Sequence, residues 1–550
     1  MELFNAADFL VHRRVRQGLG DKVAVIGSGV RTYQQLSDEV SRLAAGFRGL
    51  GLQRNDRIVL VMADDIEMAS TILAAFHAGL VAVPVSTMLI GRELEHILRD
   101  SKPRAVVATE QYLPALLPAV EASNDVDHLI VSGCANDVLP RLSRRTVSVH
   151  AWAGIVGAFA DPAEPEDAED PALTRADEWA LWLYTSGTTG TPKAAMHRHA
   201  SIRHVYESYG RRVLGIRPED RCLSVAKLFF AYGIGNSLFF PLAAGATTIL
   251  QPARPAPRTM CDRIAATAPS LFFGVPTFYA SLLQAEIPDT SFQTVRLCVS
   301  AGEALPVAVQ TRFRQRFGVD ILDGIGSTEA LHIFLSNRPE DICPGTTGKP
   351  VPGYRIEIRD TDGRIVERGT PGDLYVSGDS IALGYWQRPG AEQAVFHGDW
   401  LRTGDTYFVD DAGYYHCLGR SNDLLKAGGI WVSPVEVEQR LLEHVAVADA
   451  AVVGVPNADG IDKPVALVVC APGHEHVGET ELIDWCREGL AAFKLPRAIQ
   501  FTEQLPKTAT GKPQRYRVRQ WWMNRTAEMT TVTSAAVPPS PDSLVSTPRW

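Results

Sequence analysis

The chain has 550 residues, of which 45% are hydrophobic and 21% are charged, and its formal net charge is −9. A single hydrophobic core stops growing at roughly 250–300 residues, so this length predicts at least two domains. The negative charge disfavours a nucleic-acid partner, because phosphate backbones require a basic surface. The eight cysteines lack CxxC spacing, which disfavours zinc sites and disulfide frameworks and is typical of a reducing cytoplasm.

The N-terminal segment carries early acidic residues and has no apolar core, unlike a signal peptide. The most apolar stretch, residues 68–85, is interrupted by polar side chains, a glycine and a proline. This pattern predicts a buried helix followed by a short strand and disfavours a membrane span.

Segments with helical and strand periodicity alternate in the first part of the chain. Thr32 is a plausible N-cap for a helix that is closed by Gly51. The same alternation predicts strands at residues 58–61, 81–85 and 105–108, separated by helices at 66–78 and 93–99. It implies crossover connections and a largely parallel sheet.

Later segments differ in character. The acidic, proline-rich residues 161–178 predict a surface loop, and residues 180–184 predict a strand. Beyond about Thr347, short strands alternate with turn residues and predict a β-rich subdomain. A hinge-like loop at 419–429 precedes a region of mixed helix and strand period, and the Ser-, Thr- and Pro-rich tail from Thr526 predicts disorder.

The clearest local signal is the string YTSGTTGTPK at residues 184–193, which follows the strand predicted at 180–184. Its two glycines allow close approach of the backbone to an anion, and backbone N–H groups and hydroxyls can surround phosphate oxygens. Lys193 would neutralise charge. The spacing is not GxxxxGK[ST], so this is not a Walker loop.

Six motifs together resemble the adenylate-forming superfamily, which includes acyl- and aryl-CoA synthetases. They occur in family order as YTSGTTGTPK (184–193), SAGEALP (300–306), DGIGSTE (323–329), TGD (403–405), GRSNDLLKAGG (419–429) and PKTATGK (506–512). The strings AKLFFAYGIGN (226–236) and GSTEALHIFLSN (326–337) resemble the benzoate-CoA ligase branch. The resemblance covers nearly the whole chain.

The resemblance implies an α/β fold with two domains and the active site between them. The large N-terminal domain, residues 1–421, would combine α/β layers with the β-rich subdomain and bind ATP and the acid. A small mobile α+β domain would follow at 422–525, and 526–550 would be a disordered tail. The hinge would lie at Asn422, where the family often has aspartate.

The resemblance also implies the nucleotide site. The β- and γ-phosphates would be held by Thr185, Ser186, Gly187, Thr188, Thr189, Gly190 and Lys193. Adenine would be lined by Gly302, Glu303, Ala304, Asp323, Gly324 and Ile325, where the family often has an aromatic residue in place of Ile325. Thr328 would bond the α-phosphate, and Glu329 would bind Mg²⁺, which prefers carboxylate oxygen. Asp405 would accept both ribose hydroxyls, with Arg420 as a second contact to ribose or phosphate.

The implied reaction has two halves, with ATP, Mg²⁺ and coenzyme A as cofactors. The acid attacks the α-phosphorus of ATP, and Lys512 would lower the repulsion between the two anions. The thiol of coenzyme A then attacks the acyl-adenylate. Gly428 and Gly429 would line the tunnel for the thiol arm, because a side chain there would block it.

The resemblance places an aryl acid in an apolar pocket made of Phe229, Phe230, Ala231, Tyr232 and Gly233. His332, Ile333 and Phe334 would face the same cavity. His332 either bonds an ortho amino or hydroxyl group of the acid or is a packing histidine with its own partners. The acid is therefore predicted to be benzoate, 2-aminobenzoate or a hydroxybenzoate.

Three other functions share parts of this pattern. An enzyme that loads an external carrier protein would use every motif given above. A non-catalytic nucleotide or ligand sensor would keep the fold, but the intact Lys512, Glu329 and Asp405 argue against it. A light-emitting oxygenase shares the fold and lacks the benzoate-type strings. The oligomeric state, monomer or homodimer, stays open.

Overall fold

The computed structural model describes residues 2–89, 91–134, 139–140, 142–143, 146–158, 170–186, 192–421, 425–427, 430–456, 462–490, 494–507 and 513–534. The chain divides into two compact units, Met1–Cys417 and Leu418–Trp550. The domain boundary predicted from the sequence lies at residue 421, close to this division.

The first unit contains most of the strands. They are β1 (Val23–Ile26), β2 (Val30–Thr32), β3 (Arg57–Val61), β4 (Val81–Pro84), β5 (Ala105–Thr109), β6 (His128–Ser132), β7 (Ser148–Ala151), β8 (Trp179–Ser186), β9 (Pro192–Arg198), β10 (Arg221–Ser224), β11 (Thr247–Ile249), β12 (Leu271–Gly274), β13 (Leu297–Ser300), β14 (Ile321–Gly326), β15 (Ile333–Ser336), β16 (Lys349–Pro350), β17 (Arg355–Arg359), β18 (Gly372–Ser377), β19 (Phe396–His397) and β20 (Trp400–Val409).

Its α-helices are α1 (Tyr33–Gly49), α2 (Ile66–Ala78), α3 (Gly91–Ser101), α4 (Leu113–Ala122), α5 (Trp152–Ala158), α6 (His199–Val205), α7 (Ala231–Ile234), α8 (Phe240–Ala244), α9 (Pro257–Thr267), α10 (Pro276–Gln284), α11 (Val307–Phe317) and α12 (Pro389–Val395). Short π-helical turns occur at Asp8–His12, Val15–Leu19, Tyr206–Gly210 and Gly235–Phe239, and 3₁₀ turns at Glu110–Tyr112 and Asp289–Phe292.

Two large sheets form the body of this unit. Within the described residues, one has nine strands in the order β16-β15-β14-β13-β12-β10-β11-β1-β2, and the other has seven in the order β7-β6-β5-β3-β4-β8-β9. The central strands β11, β10, β12, β13 and β14 pair with one another in parallel, whereas β15 pairs with β14 in the antiparallel direction. Their carboxyl ends therefore open on one edge, which is where α/β sheets bind ligands.

Local sequence signals explain the helices that cover these sheets. Thr32 and Gln35 form a reciprocal capping box at the start of α1, which satisfies two otherwise unpaired backbone N–H groups. The side chain of Asp65 caps α2, and Gly79 ends that helix with φ of 73°. The helix α2 is buried on nearly every face, which confirms that the apolar stretch at 68–85 belongs to the core.

A smaller sheet contains β17, β18, β20 and β19 in that order, with antiparallel pairing. It corresponds to the β-rich subdomain expected after Thr347. The strand β21 (Tyr415–Arg420) pairs with β20.

The second unit combines strands and helices. Its elements are β22 (Leu425–Ala427), β23 (Ile430–Val432), α13 (Pro434–Leu442), β24 (Val447–Pro456), β25 (Asp462–Cys470), α14 (Glu479–Gly489), β26 (Ile499–Phe501) and α15 (Arg515–Ser534). The strands β24 and β25 are antiparallel, and β26 joins β25 in parallel. A buried Glu438 accepts from the backbone of Val452 and from Arg515, which fixes the start of α15 against α13.

Two sequence expectations differ from the structure in this unit. The region predicted as a hinge-like loop at 419–429 includes β22, which pairs with β23. The helix α15 continues to Ser534, so residues 526–534 are helical where disorder was predicted. Extending an existing helix adds a hydrogen bond for each residue fixed, which favours continuation once α15 has started.

Among the described helices, none combines the length and apolarity that crossing a bilayer requires.

Candidate active site

The predicted phosphate-binding loop is closed by two antiparallel strands. Thr185 in β8 pairs with Lys193 in β9, and Ser186 pairs with Pro192. Gly187, Thr188, Thr189 and Gly190 lie outside the described residues. The Lys193 ammonium is 5.5 Å from the centre of the Tyr385 ring, so the loop ends beside that side chain.

The predicted adenine segments lie at the carboxyl ends of neighbouring strands. Ser300 of β13 pairs with Asp323 of β14, and the chain leaves β13 through Gly302, whose φ is 97°. Glu303 and Ala304 follow and are half-buried, as is Ile325. Gly324 has no space for a side chain, because a Cβ there would lie 2.9 Å from the Leu335 carbonyl oxygen.

Asp323 is a buried carboxyl group at this edge. It is 6% exposed, and its Oδ1 has no hydrogen-bond partner among the described residues. Burial raises the pKa of Asp323 well above its ordinary value, although the backbone N–H groups of Leu305 and Gly324 oppose the shift. A buried polar atom without a partner is costly, so a ligand with polar edges would satisfy it.

The turn that carries Thr328 and Glu329 is held from several sides. The Glu329 carbonyl accepts from the Ala382 N–H at 2.8 Å, and Ser380 Oγ donates to the Ala330 carbonyl at 2.7 Å. The Tyr385 hydroxyl donates to Glu329 Oε1 at 2.5 Å. This network fixes both the backbone and the carboxylate of Glu329, and it brings Glu329 and Lys193 to the same tyrosine.

His197 supports the same turn from β9. It is fully buried, and its Nε2 lies 2.8 Å from the Thr328 carbonyl oxygen. Because a carbonyl only accepts, Nε2 carries the proton. Burial lowers the pKa of His197 to about 4, so the ring is neutral at physiological pH.

Leu331 completes the turn in a left-handed conformation, with φ of 66°, and its N–H also donates to the Thr328 carbonyl. Such a conformation is uncommon for a bulky residue, and it persists where surrounding contacts impose it. The residue that follows, His332, is packed among the rings of Tyr209, Tyr232 and Phe240, a cluster called the aromatic chamber below. One short turn therefore joins the phosphate side of the site to this chamber.

His332 is the centre of the aromatic chamber. Its ring centre lies 5.5 Å from Tyr209, 5.6 Å from Tyr232 and 4.5 Å from Phe240. Its Nε2 is 3.1 Å from Asn236 Oδ1, whereas Nδ1 is buried without a partner among the described residues. Burial lowers the pKa of His332 to about 3, so one ring nitrogen is available as an acceptor at neutral pH.

The remaining predicted acid-binding residues lie in the loop between β10 and α7 and in α7 itself. Phe229 and Phe230 have ring centres 4.6 Å apart, and Ala231 is 8% exposed. The single proton of the Tyr232 hydroxyl is shared between the carbonyls of Gly274 and Val299, at 3.2 and 3.1 Å, which anchors the ring over the ends of β12 and β13. These side chains share one edge of the nine-stranded sheet.

At Gly233 the neighbouring backbone leaves no room for a side chain. A Cβ at this position would lie 2.0 Å from the Lys227 carbonyl oxygen, so the residue allows the loop to pack against α7. It contributes no side-chain surface of its own.

Ile333 and Phe334 have neighbours other than the rings around His332. Ile333 packs over Gly324, where a Cβ would lie 3.1 Å from its Cγ2, and the Phe334 ring faces Tyr354 at 6.4 Å. Successive side chains of an extended strand point to opposite faces, so Ile333 and Phe334 lie on opposite sides of β15.

The predicted ribose-binding residues lie on β20 and β21. Asp405 follows Gly404, whose φ is 77°, and its N–H donates to Thr403 Oγ1 at 3.1 Å. Arg420 is exposed in the second unit. Asn422, Gly428, Gly429 and Lys512 lie outside the described residues. The strand-like contacts that flank Lys512 are described, since Lys507 pairs with Pro513 and the Gln514 N–H donates to the Pro506 carbonyl at 2.7 Å.

A groove of 840 Å³ lies elsewhere in the first unit. Its walls include Arg198, Arg355, Asp379, Glu392 and Phe396. The predicted acid-binding residues do not line it, so it is distinct from the aromatic chamber around His332.

Sequence reasoning missed Tyr385 and His197. Each contacts the Glu329 turn from far along the chain, as the 131 residues between His197 and Thr328 show. Neither residue stands in a spacing pattern of its own. Only the position of Tyr385 behind a strand of the β-rich subdomain could have drawn attention to it.

Residues 11–386 match the AMP-binding enzyme family, and residues 436–512 match the AMP-binding enzyme C-terminal domain. The benzoate-CoA ligase of Thauera aromatica is 44% identical, over 94% of this chain and 96% of that protein. The 4-hydroxybenzoate-CoA/benzoate-CoA ligase of Rhodopseudomonas palustris is 40% identical, over 94% of each chain.

A solved structure of an anthranilate CoA ligase in complex with anthranoyl-AMP superposes with a TM-score of 0.88. It shares 36% sequence identity, and the match covers 96% of this chain and 99% of that one. The adenylate-forming fold expected from the six motifs is confirmed. On this evidence the chain belongs to the AMP-binding enzyme family, and its resemblance to the benzoate-CoA ligase branch is confirmed with it.

Proposed function

We propose that this protein is an ATP-dependent aryl-CoA ligase. It activates a benzoate-type acid, namely benzoate, 2-aminobenzoate or a hydroxybenzoate, as the aroyl-adenylate with release of pyrophosphate. It then transfers the aroyl group to the thiol of coenzyme A with release of AMP. The identities of 44% and 40% to two benzoate-CoA ligases support this choice of acid and acceptor.

One observation carries the proposal. At one end of the turn from Thr328 to His332, a carboxylate accepts a hydrogen bond from Tyr385, whose ring lies near Lys193; at the other end, a neutral histidine lies among aromatic rings. An aryl carboxylate that lay in the chamber would extend its charged end toward Thr328. The nucleophile and the α-phosphate would then meet at this turn.

The chemistry of the first half requires positioning and charge stabilisation and no protein nucleophile. The carboxylate oxygen of the acid attacks the α-phosphorus, and the bond to the pyrophosphate oxygen breaks. Lys193 balances charge on the outer phosphates, and Thr328 bonds the α-phosphate. Lys512 is proposed as the cation that offsets repulsion between the two reacting anions. Asp323 would accept from the amino edge of adenine with its unpartnered Oδ1.

Glu329 is proposed to bind Mg²⁺. A single carboxylate fits this ion, because Mg²⁺ usually takes one or two carboxylates and completes its octahedron with water and substrate phosphates. The bond from Tyr385 orients that carboxylate, as outer-shell hydrogen bonds commonly do for metal ligands. Bound Mg²⁺ would neutralise charge that develops on the leaving pyrophosphate.

The thiol acceptor separates two versions of the function. Free coenzyme A is the proposed acceptor, and an external carrier protein is the alternative that shares the first half-reaction. Incubation of enzyme, ATP and benzoate with either acceptor, followed by mass spectrometry of the thioester, distinguishes them. A cytoplasmic location stays a prediction from the cysteines, which form no disulfide among the described residues.

The test of the function is pyrophosphate release that depends on the acid. A panel of benzoate, aminobenzoates, hydroxybenzoates and fatty acids is supplied with ATP and Mg²⁺, and pyrophosphate is measured continuously. We expect release with benzoate-type acids and little with fatty acids, because the chamber is lined by flat rings. Preference for a fatty acid, or release with no acid in the panel, would contradict the proposal.

A further inference from the structure

Asp64 joins the two large sheets of the first unit at the acid-binding loop. It follows the carboxyl end of β3, in the seven-stranded sheet, and both of its carboxylate oxygens lie near the Leu228 N–H, at 3.1 and 3.0 Å. Leu228 belongs to the loop that leaves β10 in the nine-stranded sheet and carries Phe229 and Phe230. Asp64 is 5% exposed, so this bond is shielded from water.

The other hydrogen bonds that hold this loop involve Lys227 and Phe230, whereas the Leu228 N–H bonds to Asp64. Lys227 Nζ donates to the carbonyls of Gln251 and Ala253, which ties the side of the loop to the end of β11. The Phe230 N–H donates to the Lys227 carbonyl and closes a turn. The bond from Leu228 to Asp64 lies inside this turn, directly before the two phenylalanines.

We propose that Asp64 is a positioning residue for the aryl acid: it holds the Leu228 N–H and thereby fixes how Phe229 and Phe230 are presented to the acid. This role rests on the proposed function. It concerns affinity for the acid and not for ATP, because the predicted phosphate-binding residues lie on β8, β9 and the Thr328 turn.

Because the Asp64 carboxyl group can ionise, its proposed role predicts a dependence on pH that an uncharged core residue would not show. Burial raises the pKa of Asp64 to about 7, whereas the charge of Lys227 and the Leu228 N–H oppose the shift and Asp65 adds to it. An ionised carboxylate accepts a hydrogen bond about twice as strongly as a neutral acceptor. The loop is therefore held more firmly above pH 7 than below it.

The experiment compares the wild type with Asp64→Asn and Asp64→Leu. The KM values for benzoate and for ATP are measured by pyrophosphate release between pH 6 and pH 8. Benzoate stays ionised throughout, since carboxylic acids of this kind titrate near pH 4. We expect the wild-type KM for benzoate to rise several-fold as the pH falls, with little change in the KM for ATP.

The two variants should differ in a defined way. Asp64→Asn keeps an acceptor oxygen and removes the charge, so the KM for benzoate should rise modestly and lose its pH dependence. Asp64→Leu removes the acceptor, and the KM for benzoate should rise about tenfold or more, since a lost bond to a charged group commonly has this effect. If Asp64→Leu fails to fold, the pH profile of Asp64→Asn decides alone.

Asp220→Asn is the matched control. Asp220 is 6% exposed and lies at the other end of β10, where it pairs with Arg296 and accepts from Ser270. Its loss should lower the melting temperature and leave the benzoate profile unchanged. A wild-type pH profile in Asp64→Asn, or equal rises in both KM values in Asp64→Leu, would overturn the role of Asp64. A wild type without acid-dependent pyrophosphate release would overturn the proposed function itself.

Discussion

Tyr385 links the two charged groups of the nucleotide side, because its hydroxyl bonds Glu329 and its ring lies beside Lys193. We predict that Tyr385→Phe raises the Mg²⁺ concentration required for half-maximal pyrophosphate release. Removing a residue that orients a metal ligand commonly weakens metal binding about 10–100-fold. The measurement is a Mg²⁺ titration at saturating ATP and benzoate.

Tyr354→Phe serves as the control for that titration. The Tyr354 hydroxyl bonds Ser380 Oγ, which in turn bonds the Ala330 carbonyl next to Glu329. It does not bond Glu329 itself. Its loss should leave the Mg²⁺ requirement near the wild-type value. Equal requirements in Tyr385→Phe and the wild type would show that Glu329 needs no support from the tyrosine.

Ala231 begins α7 directly after the two phenylalanines and is 8% exposed. We predict that Ala231→Phe raises the KM for benzoate-type acids and leaves the KM for ATP little changed. Overpacking of a closely filled site commonly costs about 1–3 kcal/mol, and bulkier ring substituents should suffer more than benzoate. Unchanged kinetics across the benzoate panel would place these residues in the core and outside the pocket.

The π-helical turn that begins at Gly235 requires a residue without a side chain at this position, because the turn packs against His332. A Cβ at Gly235 would lie 2.3 Å from Cδ2 and 2.7 Å from Nε2 of His332. We predict that Gly235→Ala displaces the imidazole, breaks its bond to Asn236, lowers the melting temperature and raises the KM for the aryl acid. Differential scanning fluorimetry and pyrophosphate release measure the two effects.

Gly157→Ala is the control at the level of the element. Gly157 lies in α5, and a Cβ there meets nothing within 4 Å. Alanine favours a helix over glycine by about 1 kcal/mol, so this variant should be neutral or slightly stabilised. Similar losses in both variants would show that Gly235 matters for backbone reasons and not for its contact with His332.

The sequence predicts features that depend on residues close together in the chain and misses those that depend on distant residues. The helix predicted from Thr32 and the one predicted at 66–78 match α1 and α2, because caps and apolar periodicity are local signals. The contacts of His197, Tyr385 and Asp64 with the site join distant parts of the chain, and no local pattern announces them. The π-helical turn at Gly235–Phe239 was not predicted, because nothing in its sequence, GNSLF, distinguishes it from an α-helical turn.

At the scale of the whole molecule, burial makes stability depend on pH. Five buried histidines have pKa values lowered to about 3 or 4, and they are His12, His77, His197, His199 and His332. A histidine whose folded pKa lies below the unfolded value of 6.5 contributes stability that is complete above pH 6.5 and is lost as the pH falls. Asp64 and Asp323, with raised pKa values, act in the opposite direction.

We predict that the free energy of unfolding falls steeply between pH 6.5 and pH 5. The histidines outnumber the two aspartates, and each net proton taken up on unfolding contributes about 1.4 kcal/mol per pH unit. The melting temperature, measured across this range, should drop accordingly. His199→Asn, which keeps an acceptor for the Ala6 N–H, should make the dependence shallower. A constant melting temperature would contradict the prediction.

The two half-reactions should separate by mutation, because they are proposed to use different residues of the second unit. We predict that Lys512→Ala lowers adenylate formation on the order of 100-fold or more and spares thioester formation from supplied aroyl-AMP. Gly429→Trp should do the reverse by filling the proposed tunnel for the thiol arm. Pyrophosphate release and thioester yield are measured separately, and equal loss of both activities in either variant would count against this division.

The π-helical turn at Gly235–Phe239 has a consequence for how acid preference can change. It contains one residue more than an α-helical turn of the same span, and it lies between α7 and α8 beside His332. Deleting one residue would restore a regular helix and rotate the side chains on one side by about 100° relative to the other. A single-codon deletion or insertion here would therefore exchange which side chains face the chamber. A change in the length of this helix would therefore alter which acids the enzyme accepts without any substitution in the pocket.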